Sequence, residues 1–370
     1  MALAASHPMF SDRRRRNLAI LGGITVLFVV LAVVSVLERA RELAPKFAPR
    51  PFFADLTQHV NEIGDVAVTT KTGTFNVKLD NGKWVIPEKG SFPADAQQVR
   101  AIAAGLAGLE ALDMRTARAD WHSYLGLTAA DKGGDATELK LADASGKVLA
   151  DVLIGHTEGA ADELGRTSVY VRRPNENQTW LTRGYIAPKT AAADWLDKSV
   201  INIARDRIKG ATVTPPTGAS YTLVRDSKDA PDFKLLDLPK GRALSFEGAP
   251  DGVAGAIVGF TFDDVAKASD FDFSKASQSV TNTFDGLDLT TKIAIKGMDH
   301  WATVTANATN PMVQAEATAI NARVGGWAFK LPDFKVTQFT ATRDSLLKPL
   351  DEGNPKPAGN ALPAFPGKRP

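Results

Sequence analysis

The residues able to do chemistry are few and scattered along the chain. Histidine is the side chain whose ordinary pKa lies near neutrality, so it serves as a proton carrier or metal ligand. Beyond the N-terminal tail it occurs at His59, His122, His156 and His300. None has another histidine three or four positions away, so no helix presents a metal-binding pair, and HExxH does not occur. Cysteine is absent, which excludes disulfides, thiolate zinc sites, iron–sulfur clusters and cysteine nucleophiles. Neither a G-x-S-x-G elbow nor a glycine-rich phosphate loop is present. Asp270-Phe-Asp272-Phe-Ser274 opens like a calcium loop, but Lys275 stands where glycine is needed and Thr281 where glutamate is needed. It reads as a solvated turn with two core phenylalanines. The acids Asp263-Asp264 and Asp285/Asp288 suit capping of backbone amides, and the six tryptophans suit core filling. These residues assign no catalytic site, no metal and no cofactor.

The elements that must position any site begin with an anchor. Residues 18–37 read LAILGGITVLFVVLAVVSVL, twenty residues without a charge. At about 1.5 Å rise per residue they span about 30 Å, the thickness of a bilayer's hydrocarbon core, which predicts an uncleaved transmembrane helix. Arg13, Arg14, Arg15 and Arg16 precede it directly, and a short tail holding such a block resists translocation, so the N-terminus is expected in the cytoplasm and the bulk of the chain outside it. With those arginines and Asp12 set aside, the rest of the chain carries one more acid than base. That balance lacks the basic footprint of a nucleic-acid binder.

Beyond a proline-rich stalk at 38–52 the pattern turns to alternation. Thr74–Leu79 and Lys83–Ile86 flank Asp80-Asn81-Gly82, a hairpin signal. Asp95 begins a predicted helix with Val99, Ile102, Leu106, Leu109 and Leu112 at three- and four-residue spacing. Strands are predicted at 138–142, 148–154, 169–173 and 179–182, then a helical segment around 191–203. The second half has the same order, with a strand pair at 221–225 and 233–236, a helix over 250–268, and strands at 279–284, 287–295 and 301–306. Val99 and Val253 lie 154 residues apart and Trp180 and Trp327 lie 147 apart. The spacing predicts a tandem duplication of one α+β unit, antiparallel sheet plus helix, over 53–205 and 206–348. Six of the 22 residues from 349 to 370 are proline, which predicts a disordered tail.

Several of these stretches carry a resemblance. Lys83-Trp-Val-Ile-Pro87, Phe92-Pro-Ala-Asp95, Leu109-Glu-Ala-Leu112 and Tyr124-Leu-Gly-Leu127 resemble the bacterial family known as domain of unknown function 4340. So do Val152-Leu-Ile-Gly155, Val169–Pro174, Thr179-Trp-Leu181 and Asp194-Trp-Leu-Asp197, with Phe262-Asp-Asp-Val265, Thr283-Phe-Asp-Gly286 and Gly326–Pro332 in the second half. The resemblance covers roughly residues 50–350. It implies a single-span, periplasm-facing protein whose relatives are linked to ABC transport systems of the gliding-motility auxiliary type, and it carries over no catalytic residue. Some such auxiliary proteins have a second membrane segment and an additional domain, neither of which is expected from the residues here.

The expected function is therefore that of a non-enzymatic accessory protein of the bacterial inner membrane. Its expected partners are the lipid bilayer through residues 18–37, and ABC transporter subunits or other envelope proteins. The rival expectation is a ligand-binding or hydrolytic domain with its site in a cleft between the two units. Arg172, Asp263, Asp264 and His300 are the candidate residues for that cleft.

Overall fold

The computed structural model describes residues 11–43, 48–217 and 219–349. The basic tail up to residue 10, stalk residues 44–47 and the proline-rich tail from 350 lie outside the described residues. Helix α1 (Ser11–Leu43) comes first. Its side chains from Ile20 to Val36 are all exposed, so no part of that run packs on the rest of the protein. Among the described residues no helix is long and apolar enough to cross a membrane.

After α1 the described chain is α+β. The first half runs β1 (Arg50–Pro51), α2 (Leu56–His59), β2 (Ile63–Thr70), β3 (Gly73–Asp80), β4 (Lys83–Ile86) and β5 (Phe92–Pro93). It continues with α3 (Ala96–Ala107), β6 (Glu110–Met114), β7 (Thr137–Asp143), β8 (Val148–Glu158), β9 (Thr167–Arg172) and β10 (Thr179–Gly184). The second half runs β11 (Ile208–Thr214), β12 (Tyr221–Val224), β13 (Lys234–Leu235), α4 (Asp251–Ala254), β14 (Asp264–Lys267) and β15 (Ser277–Thr283). It ends with β16 (Leu287–Lys296), β17 (Asp299–Ala308), α5 (Gln314–Val324), β18 (Trp327–Lys330) and α6 (Asp333–Thr340).

Among the described residues these strands form a ten-stranded and an eight-stranded sheet, antiparallel at every pairing described. The first has the order β5-β4-β3-β2-β7-β8-β9-β10-β6-β1 and the second β13-β12-β11-β15-β16-β17-β18-β14. Without β5 and β1, the two orders are the same path through eight strands. The closing contacts match as well. Ala94 bridges Leu196 in the first half and Leu244 bridges Leu347 in the second. Around each bridge two amides donate across: Asp95 to the Trp195 carbonyl (2.8 Å) and Asp197 to that of Pro93 (2.9 Å), then Ser245 to that of Leu346 (2.9 Å) and Lys348 to that of Ala243 (2.9 Å). Each half is thus tied shut by a strap at its C-terminal end.

Local chemistry explains the elements that form. Asn81 (φ 48°) and Gly82 (φ 78°) adopt the left-handed pair that a two-residue hairpin requires. Asp95 accepts from the Gln97 amide at 2.8 Å and caps α3, whose buried face is Val99, Ile102, Ala103 and Leu106. Three expected helices are corrected. The helix from Asp95 stops at Ala107, short of the expected Leu109 and Leu112, because Gly108 ends it and residues 110–114 pair as β6. The helix over 250–268 stops after Ala254 because Gly255 ends it and Gly259 turns left-handed at φ 55°. Residues from 264 then pair with β18, which a helix's own hydrogen bonds would forbid. The segment around 191–203 is one short 3-10 turn, Ala192–Trp195, because the next amides are taken by the strap and by the Asp197 carboxylate, which accepts from the Ser199 amide at 2.9 Å.

One hydrophobic cluster runs through both halves. Its centre is Phe92, which meets Trp327 at 5.0 Å, Phe262 at 5.9 Å and Phe329 at 6.1 Å, each edge to face. Phe262, Phe329 and Phe92 are fully buried. Lys89 pairs with Asp264 at 2.7 Å beside them, and the Lys267 ammonium sits 3.6 Å from the Trp327 ring.

Candidate functional site

The four cleft candidates do not converge. Arg172 is buried in the first half, where its guanidinium donates to the carbonyls of Glu176 (2.9 Å), Pro174 (3.0 Å) and Leu127 (3.1 Å). Burial lowers its pKa, opposed by the charges of Glu138 and Asp131. Asp264 lies at the junction of the halves, paired with Lys89, and also accepts from the Val265 amide at 2.8 Å. Asp263 is exposed, and its amide donates to the Lys330 carbonyl at 2.8 Å. The Lys330 ammonium holds Asp299 at 2.9 Å and feels Asp263 and Asp264, which together raise its pKa. His300 is half-buried on β17 and lines a separate cavity of about 420 Å³ with Asp272, Lys275 and Thr340. The two aspartates therefore share one neighbourhood at the junction, while all the carbonyl partners of Arg172 belong to the first half.

Other charges that could have been functional hold the fold. Buried Arg225 donates to the carbonyls of Asp206 and Ile208, both at 2.8 Å. Buried Lys335 donates to those of Val258 (2.7 Å) and Ala256 (2.8 Å), and desolvation lowers its pKa. A buried cation that lacks a carboxylate partner needs such carbonyls to offset lost hydration. Arg207 is held between Glu316 and Asp285 at 2.8 and 2.9 Å, and Asp288 accepts from Asn282 at 2.8 Å. His122 is buried with its ring nitrogen 2.8 Å from the Asn177 carbonyl. In the calcium-like stretch Asp272 accepts from the Ser274 amide at 2.8 Å, and Phe271 packs on Trp301 with centroids 4.6 Å apart. Among the described residues no group of three or more acids and histidines could hold a metal ion.

Another groove of mixed chemistry lies where the chain enters the first sheet. It has a volume of about 390 Å³ and is lined by Arg50, Phe52, Phe53, Leu56, Arg173 and Trp180, with Asp55 also on its wall. Pairing of β1 with β6 positions it, continued by the Phe52 amide donating to the Leu109 carbonyl at 2.7 Å. The Phe52 ring is buried against Phe53 at 4.9 Å and Trp180 at 6.3 Å. Arg173 stacks its guanidinium 4.5 Å from the Phe52 ring and 5.6 Å from that of Phe53, and donates to the Phe52 carbonyl at 2.8 Å. Arg50 sits 5.5 Å over Trp180. Sequence reasoning assigns residues 50–52 to the stalk and misses this groove. Its local signal is Arg50-Pro-Phe52-Phe53, a basic and aromatic cluster soon after the apolar run.

The family model described as Domain of unknown function (DUF4340) matches residues 84–281, more than half of the chain. The chain belongs to the DUF4340 family. In this DUF4340 protein the matched stretch opens at Trp84 in β4 and closes at Thr281 in β15, so it crosses both halves and holds Lys89, Asp264, Phe92 and Phe262 together. No curated protein and no solved structure matches the chain.

Proposed function

We propose that this chain is a membrane-anchored, non-catalytic accessory protein. Residues 18–37 form the anchor, with the N-terminus cytoplasmic and the two sheets in the bacterial periplasm, where they bind ABC transporter subunits or another envelope protein. The two halves are copies of one unit, which their common strand order supports. The anchor draws support from the uncharged run of twenty residues and from the exposure of every side chain between Ile20 and Val36 on α1, since an apolar surface of that length needs a cover other than water. For orientation the support is the Arg13–Arg16 block, of which Arg16 has a described and exposed side chain.

The observation that carries the binding reading is the shared core. Phe92 and its three aromatic neighbours fill the junction where a hinged protein would keep its ligand cleft. A body held together in this way presents a fixed surface, which suits a docking partner better than a substrate that must be enclosed.

Alkaline carbonate extraction tests the anchor, with retention in the membrane pellet expected and release to the supernatant overturning it. Photo-crosslinking from exposed positions such as Phe246, Met298 and Met312 tests the accessory role. A membrane or envelope protein recovered from a restricted set of positions is expected, and self-adducts alone at every position would overturn the reading.

A further inference from the structure

We propose that an apolar groove on the outer edge of the second sheet is the docking site for residues 362–369 of the chain's own proline-rich tail. The contact stands apart from the anchor and its partners, since every group it uses lies in the second half or in the tail.

Three observations point to this occupant. The first is the groove itself. It has a volume of about 460 Å³ and is walled by Phe233, Leu235, Leu238 and Leu244. Leu235 comes from β13, the outermost strand of its sheet. Leu236 and Phe246, each next in sequence to a lining residue, are exposed along with Leu238. Apolar surface gathered in this way calls for a cover.

The second is where the chain leaves the second sheet. Leu347 bridges Leu244, a wall residue, and the Lys348 amide donates to the Ala243 carbonyl at 2.9 Å. The tail therefore departs from the wall of the groove. Residues 350–361 join that point to Leu362, and a connection of that length holds a segment near its site at an effective concentration on the order of mM.

The third is charge. Asp226, Asp232 and Glu247 line the groove against one base, Lys234, and Lys234 pairs with Asp226. Asp232 and Glu247 are left over. The Glu247 carboxylate is exposed and takes no ion pair or hydrogen bond among the described residues. Partial desolvation of Asp232, then the neighbouring Asp251 and Glu247 carboxylates, raise its pKa, with Arg205 opposing. Arg205 is already taken up by Asp251 at 2.7 Å and by the Pro231 carbonyl at 3.0 Å, and buried Arg225 by backbone carbonyls. The tail segment Leu362-Pro-Ala-Phe-Pro-Gly-Lys-Arg369 supplies the complement. Pro363 and Pro366 lie three apart, the period of a polyproline helix, so both can face one groove. Leu362 and Phe365 bring apolar bulk at the same spacing, and Lys368 and Arg369 bring positive charge to the two uncommitted carboxylates.

The test uses the full chain in detergent carrying Phe365→p-benzoylphenylalanine, a photoreactive aromatic, with adducts mapped by mass spectrometry. Adducts within one chain, on residues 230–247 and independent of protein concentration, are expected. Lys368→Glu together with Arg369→Glu should lower their yield about fivefold, as loss of an exposed ion pair would. Adding Glu247→Lys to that chain should restore at least half of the lost yield, because the groove then offers a positive charge to the new acids. A yield unmoved by the tail substitutions, or one that Glu247→Lys lowers further, would overturn the proposal. Adducts between chains that rise with concentration would assign the groove to a second copy and overturn the intramolecular contact. Adducts absent from residues 230–247 would leave the groove to a separate partner and overturn it as well.

Discussion

Asp151 is a residue whose environment works against its charge. It sits on β8 across from Lys140 of β7, and burial, then the nearby Glu138 carboxylate, pushes its pKa up to about 6, with Lys140 opposing. An acid whose folded-state pKa is raised favours folding most when protonated. Its contribution is fully present below the unfolded value near 4 and is lost as pH climbs through about 6. Asp151→Asn should therefore raise stability near neutral pH by about 1 kcal/mol, a figure discounted for screening at a half-exposed site. Thermal melts across pH should show the gain shrinking toward zero near pH 4, and a gain that grew as pH fell would reject this account. The cleft candidates fare differently at the same scale. The sequence shows that Arg172 is an arginine in a strand ending at a Pro-Asn turn, but its partners are backbone carbonyls up to 45 residues away, and nothing local encodes them. The groove at the entry to the first sheet is illegible for the same reason, because Arg173 finds Phe52 across 121 residues.

Among the elements, what can be read is what short-range chemistry dictates. The β3–β4 hairpin follows from Asn81-Gly82, and α3 follows from Asp95 and the spacing of Val99, Ile102 and Leu106. The expected helix over 250–268 fails because Val253, Ile257 and Phe260 keep a helical period and are buried, while glycines between them break the backbone. Periodicity reports burial on one side and leaves the hydrogen bonding open. Helix α5 escapes the sequence pattern although Ala317, Ile320 and Val324 mark its buried face, for a stripe with one alanine and two larger residues gives little contrast. Helix α3 also offers a test in which two effects compete. Gly105 lies inside it, and alanine there would gain about 1 kcal/mol of helix propensity. Yet an added Cβ would come within 2.0 Å of the Tyr185 carbonyl oxygen, a clash that only separation of the helix from the chain after β10 can relieve. Gly105→Ala should lower stability by about 2 kcal/mol or more despite the better propensity. A chemical denaturation midpoint equal to or above the parent's would show that the contact yields cheaply.

Taken whole, the two halves should unfold together, since one cluster links them. Calorimetry of the chain in detergent is expected to give a single transition for the sheets, and Phe92→Ala, which empties the centre of the junction, should cost about 3–5 kcal/mol. Two resolved transitions in the parent chain would mean that the halves are independent. Two resolved transitions only in Phe92→Ala would locate the coupling at that ring.

The straps have one more consequence. Their matching bonds align the two halves, Pro93 with Ala243 and Ala94 with Leu244, so the counterpart of Phe92 in the second half is Arg242. There a guanidinium replaces the benzyl ring and is spent on the Lys348 carbonyl at 2.8 Å. The first half offers a ring that the second half buries, and the second half carries a charge at the matching position. One change of side chain thus sets the half that is covered apart from the half that covers it.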